Sequence, residues 1–291
     1  MAKADIAALL ALAAAMFIAV GDVIHQRSAV DVTDEPVGHL ELFLRLLRDG
    51  RWWLGTGVAA AGFALQAAAL GLGSVLLVQA LLVTSLLFAL PISARLARRR
   101  VTRWEWMWAA LLAGSVVVIV TVGNPTAGQS RGSLETWLGV VAVLGPVLAL
   151  CLVGAQMWSG PVSAVLLGAV SGALWGVFAV LTKSVVHRLD VTSWAGVIEL
   201  VRTPELYAWV LVAVGGTALQ QASFRAGPLT ASLPTMTVAE PMIAAVLGIV
   251  VLGETLQPGD AGLVTLVGAV AVMVMATVAL ARGEAATRQP A

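Results

Sequence analysis

The sequence predicts an all-α polytopic membrane protein, from its composition and from the length of its apolar segments. Of its 291 residues, 59% are hydrophobic and 11% are charged, whereas about 25% are charged in an average soluble domain. A soluble protein of this size could not bury so much apolar surface, so the composition excludes a cytosolic enzyme. It also excludes a disordered chain, because disorder requires low hydrophobicity and high charge.

Charge, cysteine content and motifs exclude further classes. The net charge of +1 provides no overall basic surface for nucleic acid, and Cys151 is the only cysteine, so an intrachain disulfide is excluded. The sequence has no Walker loop, no Gly-x-Ser-x-Gly elbow and no His-Glu-x-x-His pair. We therefore expect no enzymatic activity, no catalytic residues, no cofactor and no bound metal.

Nine apolar segments are long enough to cross a bilayer as helices, which takes about 20 residues. None of them alternates as the strand of a barrel does, and a helix satisfies every backbone polar group within its own segment. The predicted spans are 5–28, 52–71, 74–98, 103–122, 134–153, 160–187, 205–226, 229–252 and 259–282.

Three segments allow other interpretations. The first span resembles a signal peptide in its basic Lys3 and its apolar run, but Asp5 interrupts the basic region and favours a retained helix. Segment 37–51 is too charged to span, and its apolar side chains share one helical face, which predicts a helix lying in the membrane interface. Segment 191–202 is a weaker candidate for the same role.

The distribution of basic residues predicts the orientation, because cytoplasmic loops are enriched in Lys and Arg. The loops on alternate sides of nine spans hold twelve and five basic residues. The twelve are Arg27, Arg45, Arg48, Arg51, Arg95, Arg98, Arg99, Arg100, Arg103, Arg225, Arg282 and Arg288, and the five are Lys3, Arg131, Lys183, Arg188 and Arg202. We expect a plasma-membrane protein with its N-terminus outside and its C-terminus in the cytoplasm.

The sequence contains an internal repeat. Leu65-Gln66 in the second span matches Leu219-Gln220 in the seventh, and Gly73 matches Gly227 at the same offset. The chain then divides into a first repeat over 1–123, a spacer over 124–159 that holds the fifth span, and a second repeat over 160–291. Four spans and one spacer invert the second repeat relative to the first, and inverted repeats are typical of secondary transporters.

Several short motifs resemble those of the drug/metabolite transporter superfamily. They are Gln-Ala-Leu-Leu at 79–82, Ala-Gly-Pro-Leu-Thr-Ala-Ser-Leu-Pro at 226–234, Leu-Gly-Glu-Thr-Leu at 252–256, and Trp175-Gly176 followed by Lys183. The Gly-Glu turn is similar to the one that ends the fourth helix of a repeat in EamA-like members. The resemblance covers nearly the whole chain and implies an inverted helical bundle that moves a small solute.

The chain departs from the usual ten-span pattern of that superfamily. The helix after the first span is reduced to 37–51, which is similar to the nine-span, NIPA-like magnesium transporters. Arg98-Arg99-Arg100 stands where the first repeat would carry its Gly-Glu turn. Because members move many unrelated solutes, the resemblance does not name a substrate.

Glu240 is the first candidate for solute binding or proton coupling. It lies near the middle of the eighth span, where an ionised side chain costs at least about 2.5–3.5 kcal/mol and is a functional candidate by default. Pro234 and Pro241 interrupt the hydrogen bonding of the same helix, and Pro91 lies in the corresponding third span. These three prolines are the hinge candidates. The alternative is a protonated Glu240 that hydrogen-bonds a neighbouring helix.

The first and sixth spans carry further ionisable candidates. Asp22 and His25 share one helical face and could relay protons, or they could form a solvated cluster beside Arg27. Lys183 could contact solute, or it could extend its ammonium to the membrane surface.

Uncharged polar and aromatic side chains complete the candidates. Such groups can contact a solute or bind helices to one another. They are Gln66, Gln79, Gln220, Gln221 and Trp175. The ladder of Gly168, Gly172 and Gly176 on the sixth span predicts close helix packing.

The sequence thus predicts a secondary active or facilitative transporter that works by alternating access, with proton-coupled export (efflux) of a metabolite or drug-like compound as the leading form. Divalent-cation transport is one alternative, although Glu240 and Asp22 are few carboxylates for magnesium. A non-transporting membrane subunit is another, and a lipid-handling protein is a third. The expected partners are the lipid bilayer and a small-molecule substrate, and homodimer formation is left open.

Overall fold

The protein is a bundle of α-helices. The computed structural model describes residues 3–32, 50–96, 100–188, 194–227, 229–257 and 262–288. Within these ranges the only β-structure is an isolated antiparallel bridge between Thr126 and Thr255. The helices are α1 (Lys3–Val32), α2 (Gly50–Leu72), α3 (Val75–Leu82), α4 (Ser85–Leu96), α5 (Arg103–Gly123), α6 (Leu134–Met157), α7 (Pro161–Arg188), α8 (Trp194–Val201), α9 (Pro204–Ala226), α10 (Leu229–Leu252) and α11 (Gly262–Arg288).

Eight helical segments in the described ranges are long and apolar enough to cross a membrane, with α3 and α4 together forming one of them. The predicted class, an all-α polytopic membrane protein, is confirmed. The predicted seventh span, α9, is not among the eight, because its 23 residues are less apolar. The predicted interfacial helix at 37–51 lies outside the described residues except for its last two positions, which begin α2.

The less apolar α9 nevertheless runs the length of α7, in the opposite direction. Three hydrogen bonds of 2.9 Å join the two helices at successive levels. They run from Ser223 Oγ to the Ala164 carbonyl, from Ser171 Oγ to the Gly216 carbonyl, and from Trp209 Nε1 to Thr182 Oγ1. Helix α9 therefore crosses the same depth as α7, and its polar side chains find partners within the bundle.

The third predicted span is broken at a place that its proline does not explain. Helix α3 ends at Leu82 and α4 begins at Ser85, whereas the helix is continuous through Pro91. At the break, the Thr84 N–H and Oγ1 both bond the Leu81 carbonyl, at 3.0 and 2.5 Å. This tight i to i+3 turn uses up a carbonyl that a continuous α-helix would bond further along the chain.

Small residues bring the helices together. The fully buried alanines of α1 pack in the core, and Gly62 on α2 lies so close to α1 that an added Cβ would be 3.0 Å from the Ile18 backbone nitrogen. On α7, a Cβ at Gly172 or Gly176 would lie 2.8 Å from carbonyl oxygens of α10. The close packing predicted for the glycine ladder is confirmed.

Helix pairing divides the bundle into two sets and leaves α6 at the edge. Helix α1 packs on α2, α3 and α4, while α7 packs on α9 and α10; the sets meet where α3 contacts α10, α2 contacts α7 and α5 contacts α11. Two sets of this kind are what an internal repeat predicts, and the repeat and its inversion stay predictions. Helix α6 packs chiefly on α7, and Gly154 is its buried residue.

Candidate functional site

A buried ion pair lies at one end of the bundle, beside the place where the two sets of helices meet. Lys183 on α7 and Glu254, just after α10, are 5% and 1% exposed, and Lys183 Nζ lies 2.7 Å from Glu254 Oε1. Lys183 therefore does not extend to the membrane surface, as one interpretation of the sequence allowed. Its ammonium is neutralised inside the protein, as an ionisable group within a membrane protein requires.

The Glu254 carboxylate also binds the first turn of α3. Its Oε1 accepts the Val75 N–H at 2.7 Å, and its Oε2 accepts the Leu76 N–H at 3.0 Å. Ser74 caps the same turn by accepting the Leu77 N–H at 3.1 Å. These N–H groups have no partners within the helix, and the positive end of its dipole favours an anion. We call Lys183, Glu254 and the N–H groups of Val75 and Leu76 the Glu254 clamp.

Two glycines allow Glu254 to reach this position. Gly253 has a φ of +63°, which reverses the chain at the end of α10 and is favourable for glycine. The Glu254 N–H then donates to the Gly248 carbonyl at 3.0 Å. A Cβ on Gly248 would lie 2.9 Å from Glu254 Oε2, so the absence of a side chain there leaves room for the carboxylate.

Loops from both sets cover the clamp. The connection from α5 to α6 pairs with the residues after α10: Thr126 bonds Thr255, and the Gln129 N–H donates to the Leu252 carbonyl at 2.6 Å. A Cβ on Gly128 would be 2.0 Å from that carbonyl oxygen. These contacts therefore cover the clamp at the end of the bundle where α3 begins and α10 ends. We call this the Glu254 end.

A second polar contact lies deeper in the bundle, where α10 meets α3. Glu240 is half-buried on α10, its carboxylate lies near the side chain of Gln79 on α3, and its backbone lies against Gly172 and Gly176 of α7. Gln79 is 2% exposed, and its Nε2 has no hydrogen-bond partner among the described residues. An unsatisfied buried donor costs about 1–3 kcal/mol, so this amide is poised for a further acceptor.

The prolines near Glu240 do not break the helix. Pro234 and Pro241 are both buried inside a continuous α10. Each removes a backbone donor and leaves a carbonyl one turn earlier without its usual partner. Helix α10 thus carries Glu240 on a segment with weakened internal hydrogen bonding.

The aromatic candidate, Trp175, belongs to a cluster that joins three helices. Its ring packs edge-on against Phe178, with centroids 5.1 Å apart, and Phe178 stacks on Trp209 of α9 at 5.0 Å. Phe63 of α2 contacts Phe178 at 5.4 Å. The cluster therefore links the second set of helices to the first, roughly midway along α7.

The remaining sequence candidates are separated from these contacts. Gln66 is buried on α2, Gln220 is half-buried and Gln221 is exposed on α9, and Pro91 is half-buried on α4. Asp22 and His25 lie on α1, but their side chains are outside the described part of the structure. Among the described residues, no group of three or more His, Cys, Asp or Glu is placed to hold a metal ion.

Glu254 was not among the residues singled out as site candidates. It appeared only as part of the Gly-Glu turn, although a lysine inside a span needs an acidic partner. That requirement, applied to Lys183, would have directed attention to the nearest carboxylates at the same end of the bundle. The pairing with the start of α3 has no signal in the local sequence.

Comparison with known proteins identifies a relative of this multi-pass helical membrane protein. The chain is 38% identical over 277 residues to an uncharacterized protein of Corynebacterium glutamicum, and the match covers 95% of each chain. The chain therefore belongs to the same family as that corynebacterial protein. No family model matches the chain, and no solved structure matches it.

Proposed function

We propose that the protein is a secondary transporter that moves a small solute by alternating access between its two sets of helices. The observation that carries the proposal is the Glu240–Gln79 contact, which places a carboxylate and an unsatisfied amide together where α10 meets α3. A charged group deep in a membrane protein is costly unless it has a partner, and such a residue is a functional candidate by default. Here the carboxylate can be neutralised in turn by a proton or by a cationic solute.

The Glu254 clamp supports the proposal as a closed gate at one end. It consists of charge-assisted hydrogen bonds between groups of different helices, which can separate as a unit. At the opposite end a cavity of about 1120 Å³ lies between α6, α7, α10 and α11 and extends along α10 as far as Met242 and Ile243. With the N-terminus outside and the C-terminus in the cytoplasm, as we propose for the plasma membrane, the gate is closed to the outside.

The motif resemblance supports the same function. Five of the residues that resemble the drug/metabolite transporter superfamily lie in or beside the clamp and the aromatic cluster. They are Gly253-Glu254, and Trp175-Gly176 followed by Lys183. We place the protein in that superfamily as part of the proposal, with proton-coupled export of a metabolite or drug-like compound as its leading form. Divalent-cation transport and a non-transporting subunit remain the alternatives.

Reconstitution of the purified protein into proteoliposomes tests the function. A pH-sensitive dye inside the vesicles reports proton movement while a panel of cationic solutes, neutral solutes and Mg²⁺ is applied outside. We expect at least one cationic solute to move protons in the opposite direction. Movement of Mg²⁺ without protons would favour the cation-transport alternative, and no movement of any solute would favour the subunit.

Glu240→Gln tests the coupling role within the same assay. The amide keeps the size and hydrogen bonding of the carboxylate but cannot exchange a proton, so we expect coupled transport to fall at least tenfold in a protein that folds normally. Glu199→Gln is the matched control, because Glu199 is a highly exposed carboxylate on α8. If the Glu240 variant transports like the parent protein at every pH tested, Glu240 has a structural role only.

A further inference from the structure

A second cavity, of about 810 Å³, lies between α6, α7 and α9 and is separate from the Glu240–Gln79 contact. Its walls are aliphatic over most of their length, and its polar groups gather at the Glu254 end. Along α6 the lining runs from Leu134 to Leu148, which is about 21 Å at 1.5 Å per residue. The cavity therefore extends from the headgroup level to about the middle of a 30 Å hydrocarbon core.

The cavity is open toward the bilayer because α6 stands apart from α9. Helix α6 packs on α7, its contact with α9 is marginal or absent among the described residues, and most of its surface is exposed. Trp137 lines the cavity near its polar end, which is the depth that indole rings prefer. Lipid chains thus have direct access to the gap between α6 and α9.

The polar end holds an ion pair that is only partly satisfied. Arg131 Nε donates to Glu205 Oε1, and the two side chains are 48% and 12% exposed. The other carboxylate oxygen, Glu205 Oε2, is buried and has no hydrogen-bond partner among the described residues. A buried carboxylate oxygen without a donor is costly, so a ligand that brings an N–H donor there gains affinity.

We propose that this cavity binds a bilayer phospholipid whose headgroup carries a primary ammonium, with phosphatidylethanolamine as the representative. Three complementary features select it. The ammonium supplies the N–H donor that Glu205 Oε2 lacks, the phosphate accepts from the half-exposed Arg131 guanidinium, and an acyl chain fills the aliphatic walls. The lipid would fasten the body of α6 to α9, which in the described part of the chain have few or no close backbone contacts.

The headgroup assignment predicts a ranking of lipids with identical acyl chains. Phosphatidylcholine has a quaternary ammonium without N–H, and phosphatidylglycerol has no ammonium, so neither can donate to Glu205 from a cationic nitrogen. We expect phosphatidylethanolamine to bind about tenfold more tightly than either, as a charge-assisted hydrogen bond allows. Titration of the detergent-purified full chain with each lipid, read by native mass spectrometry, gives the three dissociation constants.

Two substitutions separate the headgroup from the chain. Glu205→Gln removes the anion, so the preference for phosphatidylethanolamine should disappear. Gly145→Phe places a ring in the cavity body, far from the ion pair and in open space, since a Cβ there would have one neighbouring atom at 3.9 Å. It should reduce binding of all three lipids, whereas Gly139→Phe, on an outward face of the same helix with no atom within 4 Å of its Cβ, should not.

A spectroscopic measurement tests occupancy in a membrane. Phosphatidylethanolamine with brominated acyl chains should quench the fluorescence of Trp137. Trp137→Phe should remove this part of the total quenching, and Gly145→Phe should reduce it. Equal binding of the three lipids, with no effect of Gly145→Phe, would show ordinary surface lipid and overturn the proposal. Loss of binding in Gly145→Phe without any headgroup preference in the parent protein would also overturn it.

Discussion

Glu254 performs three tasks: its carboxylate neutralises Lys183 and completes the first turn of α3, and its backbone N–H closes the C-terminus of α10. Its two oxygens accept three charge-assisted or helix-terminal hydrogen bonds, all between 2.7 and 3.0 Å. Removing one partner of a buried ion pair leaves the other charge without compensation, which is more damaging than the pair is stabilising. The clamp is therefore a point at which single substitutions should have large effects.

Lys183→Met should lower the free energy of unfolding by about 3–5 kcal/mol, because it leaves a buried carboxylate with backbone donors only. Thermal unfolding in detergent, followed by tryptophan fluorescence, measures the change. Arg188→Met is the matched control on the same helix, since its 3.9 Å pair with the exposed Glu199 should contribute less than about 1 kcal/mol. Equal effects of the two substitutions would mean that the clamp contributes no more than a surface ion pair.

Gly248→Ala should destabilise the protein although alanine is the better helix former. The new Cβ would meet Glu254 Oε2 at 2.9 Å and weaken a hydrogen bond to a charged group worth about 1.5–3 kcal/mol, against a gain in helix propensity of about 1 kcal/mol. Gly114→Ala on α5 is the control, because no atom lies within 4 Å of its Cβ. The two alanine variants should shift the melting temperature in opposite directions, and a shift of the same sign would contradict the steric argument.

At the scale of elements, α7 organises the second set of helices because its small residues admit neighbours on several sides. Gly172 and Gly176 receive the backbone of α10, Ser171 bonds α9, and Lys183 binds Glu254. Close approach of backbones through small residues is the usual way in which helices associate within a membrane. The position of Glu240 against Gln79 depends on this approach.

Gly176→Val should therefore disrupt the bundle. Its Cβ would lie 2.8 Å from the Glu240 carbonyl oxygen and 2.9 Å from the Ala244 nitrogen, and backbone atoms cannot move aside as a flexible side chain can. We expect a loss of about 1–3 kcal/mol or more, seen as a lower melting temperature and as aggregation in size-exclusion chromatography. Gly268→Val on α11, where no atom lies within 4 Å of the Cβ, should behave like the parent protein.

At the scale of the whole molecule, the proposed alternating access requires the Glu254 end to open. The connection after α5 and the residues after α10 meet there through Thr126 and Thr255, whose side-chain oxygens are 2.6 Å apart. Opposite residues of an antiparallel bridge have Cα atoms about 4.5–5.5 Å apart, which suits a disulfide. This pair offers a way to hold the end closed.

A disulfide between cysteines at positions 126 and 255, in a chain whose Cys151 has been replaced by Ser, should stop transport, and a reducing agent should restore it. The measurement is solute flux in proteoliposomes before and after reduction. Each single-cysteine chain is the control, since it cannot form the bond within one molecule. Full transport with the disulfide formed would exclude opening at this end. Labelling the same cysteines with an impermeant reagent also reports whether this end is outside, as we propose.

The amino-acid sequence alone was enough to predict the fold class and most of the helix bounds. Seven of the nine predicted spans coincide with single continuous helices to within a few residues, and hydropathy is a property of each segment that needs no knowledge of its neighbours. It did not predict the break of the third span at Thr84, which results from local hydrogen bonding and not from Pro91. The seventh span was predicted from its sequence although its hydropathy is low, and the structure adds the hydrogen bonds that join it to α7.

The candidate site shows the same difference between what the sequence predicts and what only the structure reveals. Glu240, Gln79 and Lys183 could be singled out from the sequence, because a polar residue in an apolar span is conspicuous wherever the span lies. That Glu240 meets Gln79, and that Lys183 meets Glu254 beside the start of α3, depends on residues far apart in the chain that only packing brings together. The tertiary structure alone decided these partners, because the energy of a buried charge is set by the groups that surround it in space.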